Sequence, residues 1–110
     1  MPLATSPALP LLVCTTVATR DDARHLAQAL VERRLVACAQ IGEIESVYRW
    51  DGAVQQGPEW RLLLKTVPAR YEAVAAAIHE LHPYALPALH AVRCEQVDAA
   101  YAAWIETESR

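Results

Sequence analysis

A chain of 110 residues with 54% hydrophobic and 21% charged positions is long enough for one folded core, too short for two, and too apolar to be disordered. Its formal net charge of -3 at pH 7 argues against a nucleic-acid binder, which normally carries a basic face. No apolar run reaches the roughly 20 residues that a membrane-spanning helix needs.

Residues 1–9 read as a flexible lead-in without the positive n-region of a secretory leader, and residues 10–110 as a single domain. The stretch 10-PLLVCTTV-17 is almost wholly apolar, as a central strand covered on both faces would be. In 19-TRDD-22, Thr19 is placed to cap a helix, with Asp22 at the reciprocal position. Ala23, Leu26, Ala27 and Leu30 follow at helical spacing, and the helix is expected to end near Arg34. The segment 37-ACAQIGEIESVYRW-50 alternates, but its apolar parity changes midway, which predicts a β-bulge at Gly42–Glu43. After 51-DG-52 and a polar loop, 59-EWRLLLKTV-67 completes a long hairpin.

Pro68 opens a second helix at a position where its missing N–H costs little. The expected inward stripe is Tyr71, Val74, Ala75, Ile78 and Leu81. Pro83 and Pro87 stop this helix, and 88-ALHAVRCEQV-97 reads as a fourth strand. Asp98 caps a last helix whose apolar contacts fall to Tyr101, Trp104 and Ile105. The order β-α-β-β-α-β-α predicts an α+β, ferredoxin-like fold with an extra C-terminal helix. Leu63, Val67, Leu89 and Ala91 fall on a parity unlike their neighbours. Both sheet faces therefore read as apolar while helices suffice for only one, and further copies of the chain are expected to cover the other.

Cys14, Cys38 and Cys94 are odd in number, far apart and outside any C-x-x-C motif. That excludes a disulfide scaffold and a zinc ribbon and reads as reduced thiols in the cytoplasm. The only three glycines, Gly42, Gly52 and Gly57, make no phosphate-binding loop, and no organic cofactor is expected. Tyr48, Trp50, Trp60, Tyr84 and Trp104 read as packing and interface anchors rather than as a base-stacking platform.

Six blocks in order, 12-LVCTT-16, 35-LVACAQI-41, 46-SVYRWDG-52, 59-EWRLLLKT-66, 82-HPYALP-87 and 98-DAAYAAWI-105, give the chain its resemblance to the CutA divalent-cation tolerance family from Leu11 to Ile105. The resemblance implies a compact homotrimer of ferredoxin-like subunits, knitted together by long hairpins and similar in shape to PII signalling proteins. It also implies a role in tolerance to copper or another divalent metal, by binding and without a catalytic reaction. Two positions depart from the family pattern: Ala88 stands where many relatives carry glutamate, and Leu81 where some carry histidine.

Within 81-LHPYALPALH-90, His82 falls on the inward side of the second helix. One reading has it hydrogen-bonding the carbonyls of the helix's last turn. The other brings its imidazole to the Cys14 thiolate, with Glu59 as an oxygen donor. Thiolate and imidazole together suit copper or zinc and suit magnesium or calcium badly, and the family resemblance supports Cys14 and His82 as ligands. His79, three residues from His82, is a further chelating partner, His25 reads as solvated, and His90 as packed. Lys65, the sole lysine beside nine arginines, is either a snorkelling stem that salt-bridges a neighbouring chain or, with Tyr84, part of an inter-subunit cleft for a small anion. The expected function is thus a non-enzymatic, copper-responsive homotrimer that needs neither membrane nor nucleic acid; the alternative is a PII-like signalling module. An acylphosphatase-like enzyme would need an asparagine, and the chain has none.

Overall fold

A computed structural model describes residues 8–110. The expected lead-in, residues 1–9, therefore lies outside the described residues except at its end, where the Ala8 N–H donates to the Glu106 carboxylate at 2.9 Å. Strand β1 (Leu11–Val17) leads to helix α1 (Arg20–Glu32), strands β2 (Cys38–Trp50) and β3 (Ala53–Thr66), a single 3-10 turn, helix α2 (Tyr71–Leu81), strand β4 (His90–Arg93) and helix α3 (Ala99–Glu108). All pairings are antiparallel, and the sheet order is β2-β3-β1-β4, the order of a ferredoxin-like fold. Among the described residues no helix is long and apolar enough to cross a membrane.

Strand β1 alternates buried and half-buried residues along its whole length, because only one sheet face is roofed by helices. Leu11, Val13 and Val17 point under that roof with Leu62 and Leu64 of β3; Ala23, Leu26 and Leu30 of α1 and Val74 and Ile78 of α2 meet them there. The opposite face carries Leu12, Cys14 and Thr16, with Glu59, Arg61, Leu63 and Lys65 on β3. Val67, Leu89 and Ala91 do not share this open face. Leu89 and Ala91 pack against the main core, and Val67 joins Ala37 and Ile105 under α3. The apolar part of the open face is instead Leu12, Leu63, Ile44 and Val92, continued by Tyr48 and Trp50 on the hairpin.

The expected bulge is absent. Strands β2 and β3 pair without a slip from Cys38↔Lys65 to Trp50↔Ala53. The parity change has another cause: Ala39 and Ile41 lie on the roofed face, whereas Ile44, Tyr48 and Trp50 lie on the other, where the hairpin has outrun the helices. The polar loop is absent too. Asp51 (φ 53°) and Gly52 (φ 75°) alone make the turn, both left-handed, which matches the twist of the strands they join. The hairpin stretches the molecule to 60 × 25 × 21 Å, with a radius of gyration of 15.5 Å against about 13 Å for a rounded chain of this length.

Thr19 caps α1 as expected, its Oγ1 accepting from the Asp22 N–H at 3.0 Å, and Asp98 caps α3 through the Tyr101 N–H at 3.1 Å. At the end of α1, Arg34 is left-handed (φ 58°), and the Leu35 N–H reaches back to the Leu30 carbonyl at 3.1 Å. This terminal arrangement ordinarily selects glycine. Arginine stands there because its guanidinium donates to the Thr107 and Arg110 carbonyls and pairs with Glu108, capping the far end of α3. Four expectations fail for side chains. Ala77 replaces Ala75 among the buried residues of α2, while Leu81, Tyr101 and Trp104 are exposed. Tyr101 lies at the rim of β3, with its ring near the Lys65 ammonium and stacked on Trp104 rather than sunk in the core. Strand β4 also spans four residues rather than ten.

The glycines separate these readings experimentally. A Cβ at Gly42 meets nothing within 4 Å, whereas Gly52 is held at φ +75°. Gly52→Ala is expected to lower the unfolding free energy by about 1 kcal/mol or more. Gly42→Ala is expected to leave it unchanged or raise it by about 0.5–1 kcal/mol. Chemical denaturation of both variants checks the pair, and a destabilised Gly42→Ala chain would contradict the regular ladder.

Candidate functional site: a groove at the edge of the open face

Helix α2 stops at His82, whose backbone turns extended (φ −75°, ψ 133°) ahead of Pro83, as a residue before proline must. Its N–H still closes on the Ile78 carbonyl at 2.8 Å. The ring leaves the helix: Nε2 lies 2.8 Å from the Thr16 carbonyl, and Nδ1 accepts the Tyr84 N–H at 3.1 Å. An Nδ1 that accepts places the ring proton on Nε2, which donates to Thr16. Strand β4 pairs only with Leu11–Cys14 of β1, so His82 supplies a partner to β1 beyond the point where β4 ends. It is 8% exposed and fully hydrogen-bonded.

This clip swings the chain toward the hairpin. The Tyr84 ring packs on His82 with centroids 4.9 Å apart, and its hydroxyl lies 3.4 Å from Glu59 Oε2. Burial, reinforced by the Glu59 charge, holds the Tyr84 hydroxyl above its ordinary pKa, so it stays a donor. Between residues 84–88 and the β2–β3 hairpin lies a groove of about 1090 Å³. Glu45, Ser46, Tyr48, Trp50, Glu59, Tyr84 and Leu86 line it, with Thr16 at its inner end. No lysine, arginine or histidine is among its lining residues.

Cys14, His82 and Glu59 do not converge within one chain. Cys14 sits opposite Leu63 and His90 on the open face. Glu59 lies four residues from Leu63 along β3, about 13 Å at strand rise. The nitrogens of His82 are committed to Thr16 and Tyr84. Among the described residues no group of three or more His, Cys, Asp or Glu side chains is gathered as metal ligands. The last-turn reading of His82 is corrected as well, since its ring caps a strand and not its own helix. Burial raises the pKa of the Cys14 thiol, with Arg61 pulling the other way. His79 is exposed on the flank of α2, and His90, expected to be packed, is exposed on its short edge strand.

Lys65 and Tyr84 are likewise apart. Lys65 faces Leu12 and Cys38, six residues from Glu59, about 20 Å along β3. Its ammonium donates to the Tyr101 hydroxyl at 2.9 Å, a contact that favours the charged form. The snorkelling stem thus finds a partner in its own chain. Glu45, Tyr48 and Trp50 were not foreseen as groove residues. The Asp51–Gly52 turn carried the signal: it fixes the register, and the register places Ile44 opposite Glu59 with Ser46 and Tyr48 following on the same face.

Residues 11–108 match the family model described as CutA1 divalent ion tolerance protein. The chain is 36% identical over 95 residues to the divalent-cation tolerance protein CutA of Thermus thermophilus, covering 86% of this chain and 92% of that protein. Against the CutA of Thermotoga maritima it is 33% identical over 95 residues, with 86% and 94% covered. The solved structure of CutA from Synechococcus elongatus superposes with a TM-score of 0.90 at 35% identity, covering 96% of this chain and 95% of that one.

Two measurements address the clip and the thiol. His82→Ala leaves the Thr16 carbonyl without its partner and is expected to cost about 1–3 kcal/mol in chemical denaturation. A raised thiol pKa means less thiolate at any given pH, so Cys14 is expected to alkylate more slowly at about pH 8.5 than free cysteine. Arg61→Ala removes the opposing charge and slows it further. Peptide-resolved mass spectrometry reads both, and alkylation of Cys14 at the free-cysteine rate would contradict the assignment.

Proposed function

The chain belongs to the CutA1 divalent ion tolerance family, and from that premise we propose that it acts without catalysis, as a homotrimer that binds copper or a similar divalent ion between its copies. The observation that carries this reading is the open sheet face. It holds the half-buried Cys14 and Glu59 beside the exposed apolar side chains of Tyr48, Trp50 and Val92. Apolar surface of this kind is stabilised by a partner. A face shared by several copies also brings together donors that one chain keeps apart.

The thiol of Cys14 suits a soft or borderline ion such as copper or zinc. A metal would displace its proton, so affinity rises with pH. Glu59 offers a carboxylate oxygen at the groove. His82 is assigned to the fold, because the clip to β1 occupies its ring. The PII-like alternative, an anion cleft, draws less support: Lys65 is engaged by Tyr101, and the groove that holds Tyr84 is acidic.

Sedimentation equilibrium at micromolar concentration is expected to give three times the chain mass. In a copper titration followed calorimetrically, Cys14→Ser is expected to weaken binding at least about tenfold, whereas His82→Ala, if folded, stays within about threefold of the parent. A monomer would remove the shared face, and an unchanged Cys14→Ser affinity would remove the thiol.

A further inference from the structure

We propose that His90, and not His82, is the imidazole that joins Cys14, so that each chain offers a thiolate–imidazole pair to a soft or borderline ion such as Cu(I) or Zn(II). This inference rests on the metal reading above and names the second donor of that same site.

Strand register carries the argument. Cys14 and His90 are direct partners across β1 and β4. Side chains directly opposite on antiparallel strands leave the same face with Cβ atoms about 4.5–5.5 Å apart. An ion held about 2.3 Å from a thiolate sulfur and about 2.0 Å from an imidazole nitrogen fits that spacing. The pairing belongs to the two strands, so it stands whichever copy of the chain lies against the open face.

Among the described residues no other neighbour of Cys14 on this face suits the role. Across β3 it meets Leu63, with Arg61 and Lys65 on the two diagonals. Leu12 and Thr16 flank it along β1, and Val92 is the diagonal neighbour on β4. The apolar side chains have no lone pair, and the two cations are donors only. A threonine hydroxyl is a hard oxygen, poorly matched to a thiolate-binding ion. His82 is excluded because both its nitrogens are engaged, by the Thr16 carbonyl and the Tyr84 N–H. His90 opens a four-residue strand at the edge of the sheet. No third His, Cys, Asp or Glu joins the pair among the described residues, so the rest of the coordination shell falls to another copy or to water.

The test is an anaerobic Cu(I) titration of the intact assembled protein in competition with a chromophoric chelator, repeated with Zn(II). His90→Leu removes the ring nitrogens and is expected to weaken both ions at least about tenfold. His90→Met exchanges imidazole for a soft thioether. It is expected to hold Cu(I) within about threefold of the parent and to lose Zn(II) at least about tenfold. A merely structural role for His90 would not separate the two ions. Melting curves and sedimentation establish that the variants are folded and assembled as the parent is. If His90→Leu does not fold, the split between the ions in His90→Met decides, and parental Zn(II) affinity there overturns the proposal. A His90→Leu variant that binds as the parent does, while Cys14→Ser is weakened, removes His90 alone. If the parent binds neither ion, or Cys14→Ser binds both unchanged, the metal reading falls and this inference with it.

Discussion

The constraint on which the rest of the molecule depends is that helices roof one face of the sheet and only part of its length. Helices α1 and α2 fit over the stretch where β1 and β3 run side by side, and there the core is closed. Past Val17 the hairpin continues with no strand on its inner side and no helix above it. Ile44, Tyr48 and Trp50 then lie on the open side while Val47 and Val54 stay exposed on the other, because the roof no longer dictates which face must hide. Tyr48 and Trp50 are stranded on the open face by this geometry, and the groove lies where residues 84–88 come alongside the part of the hairpin that no helix covers.

Much of this was legible in the sequence, and the failures have physical causes. Element order, both side-chain caps and the α1 stripe of Ala23, Leu26, Ala27 and Leu30 followed from periodicity and cap chemistry, which are local. The bulge at Gly42 did not follow, although the parity change was real. Alternation reports which face is buried, and a register slip and a change of cover leave the same trace. Leu81, Tyr101 and Trp104 failed for a related reason: apolar character shows that a side chain seeks cover, and not that its own chain supplies it.

The site was legible one residue at a time and not as a constellation. Glu59 and Tyr84 meet as neighbours across the groove, while Cys14 and Lys65 sit at other levels of the same face. The governing quantity is strand rise, about 3.3 Å per residue, which turns a spacing of four or six positions on β3 into a separation no side chain bridges. His82 misled because an inward histidine has two chemistries, ligand and hydrogen-bonding clip, and only the partner found by its second nitrogen separates them. The Tyr84 N–H on Nδ1 fixes the tautomer and, with it, the role.

Arg34 extends this economy to the chain's end. A left-handed arginine is tolerable only while its guanidinium is occupied by the carbonyls of α3, so the backbone twist that ends α1 and the docking of the last helix sustain one another. Unlatching α3 would leave Arg34 in an unfavourable conformation with nothing in return, and the closing turn of α1 would loosen with it. Two segments more than 70 residues apart in sequence should therefore lose amide-exchange protection together, as one cooperative unit, before the central strands open.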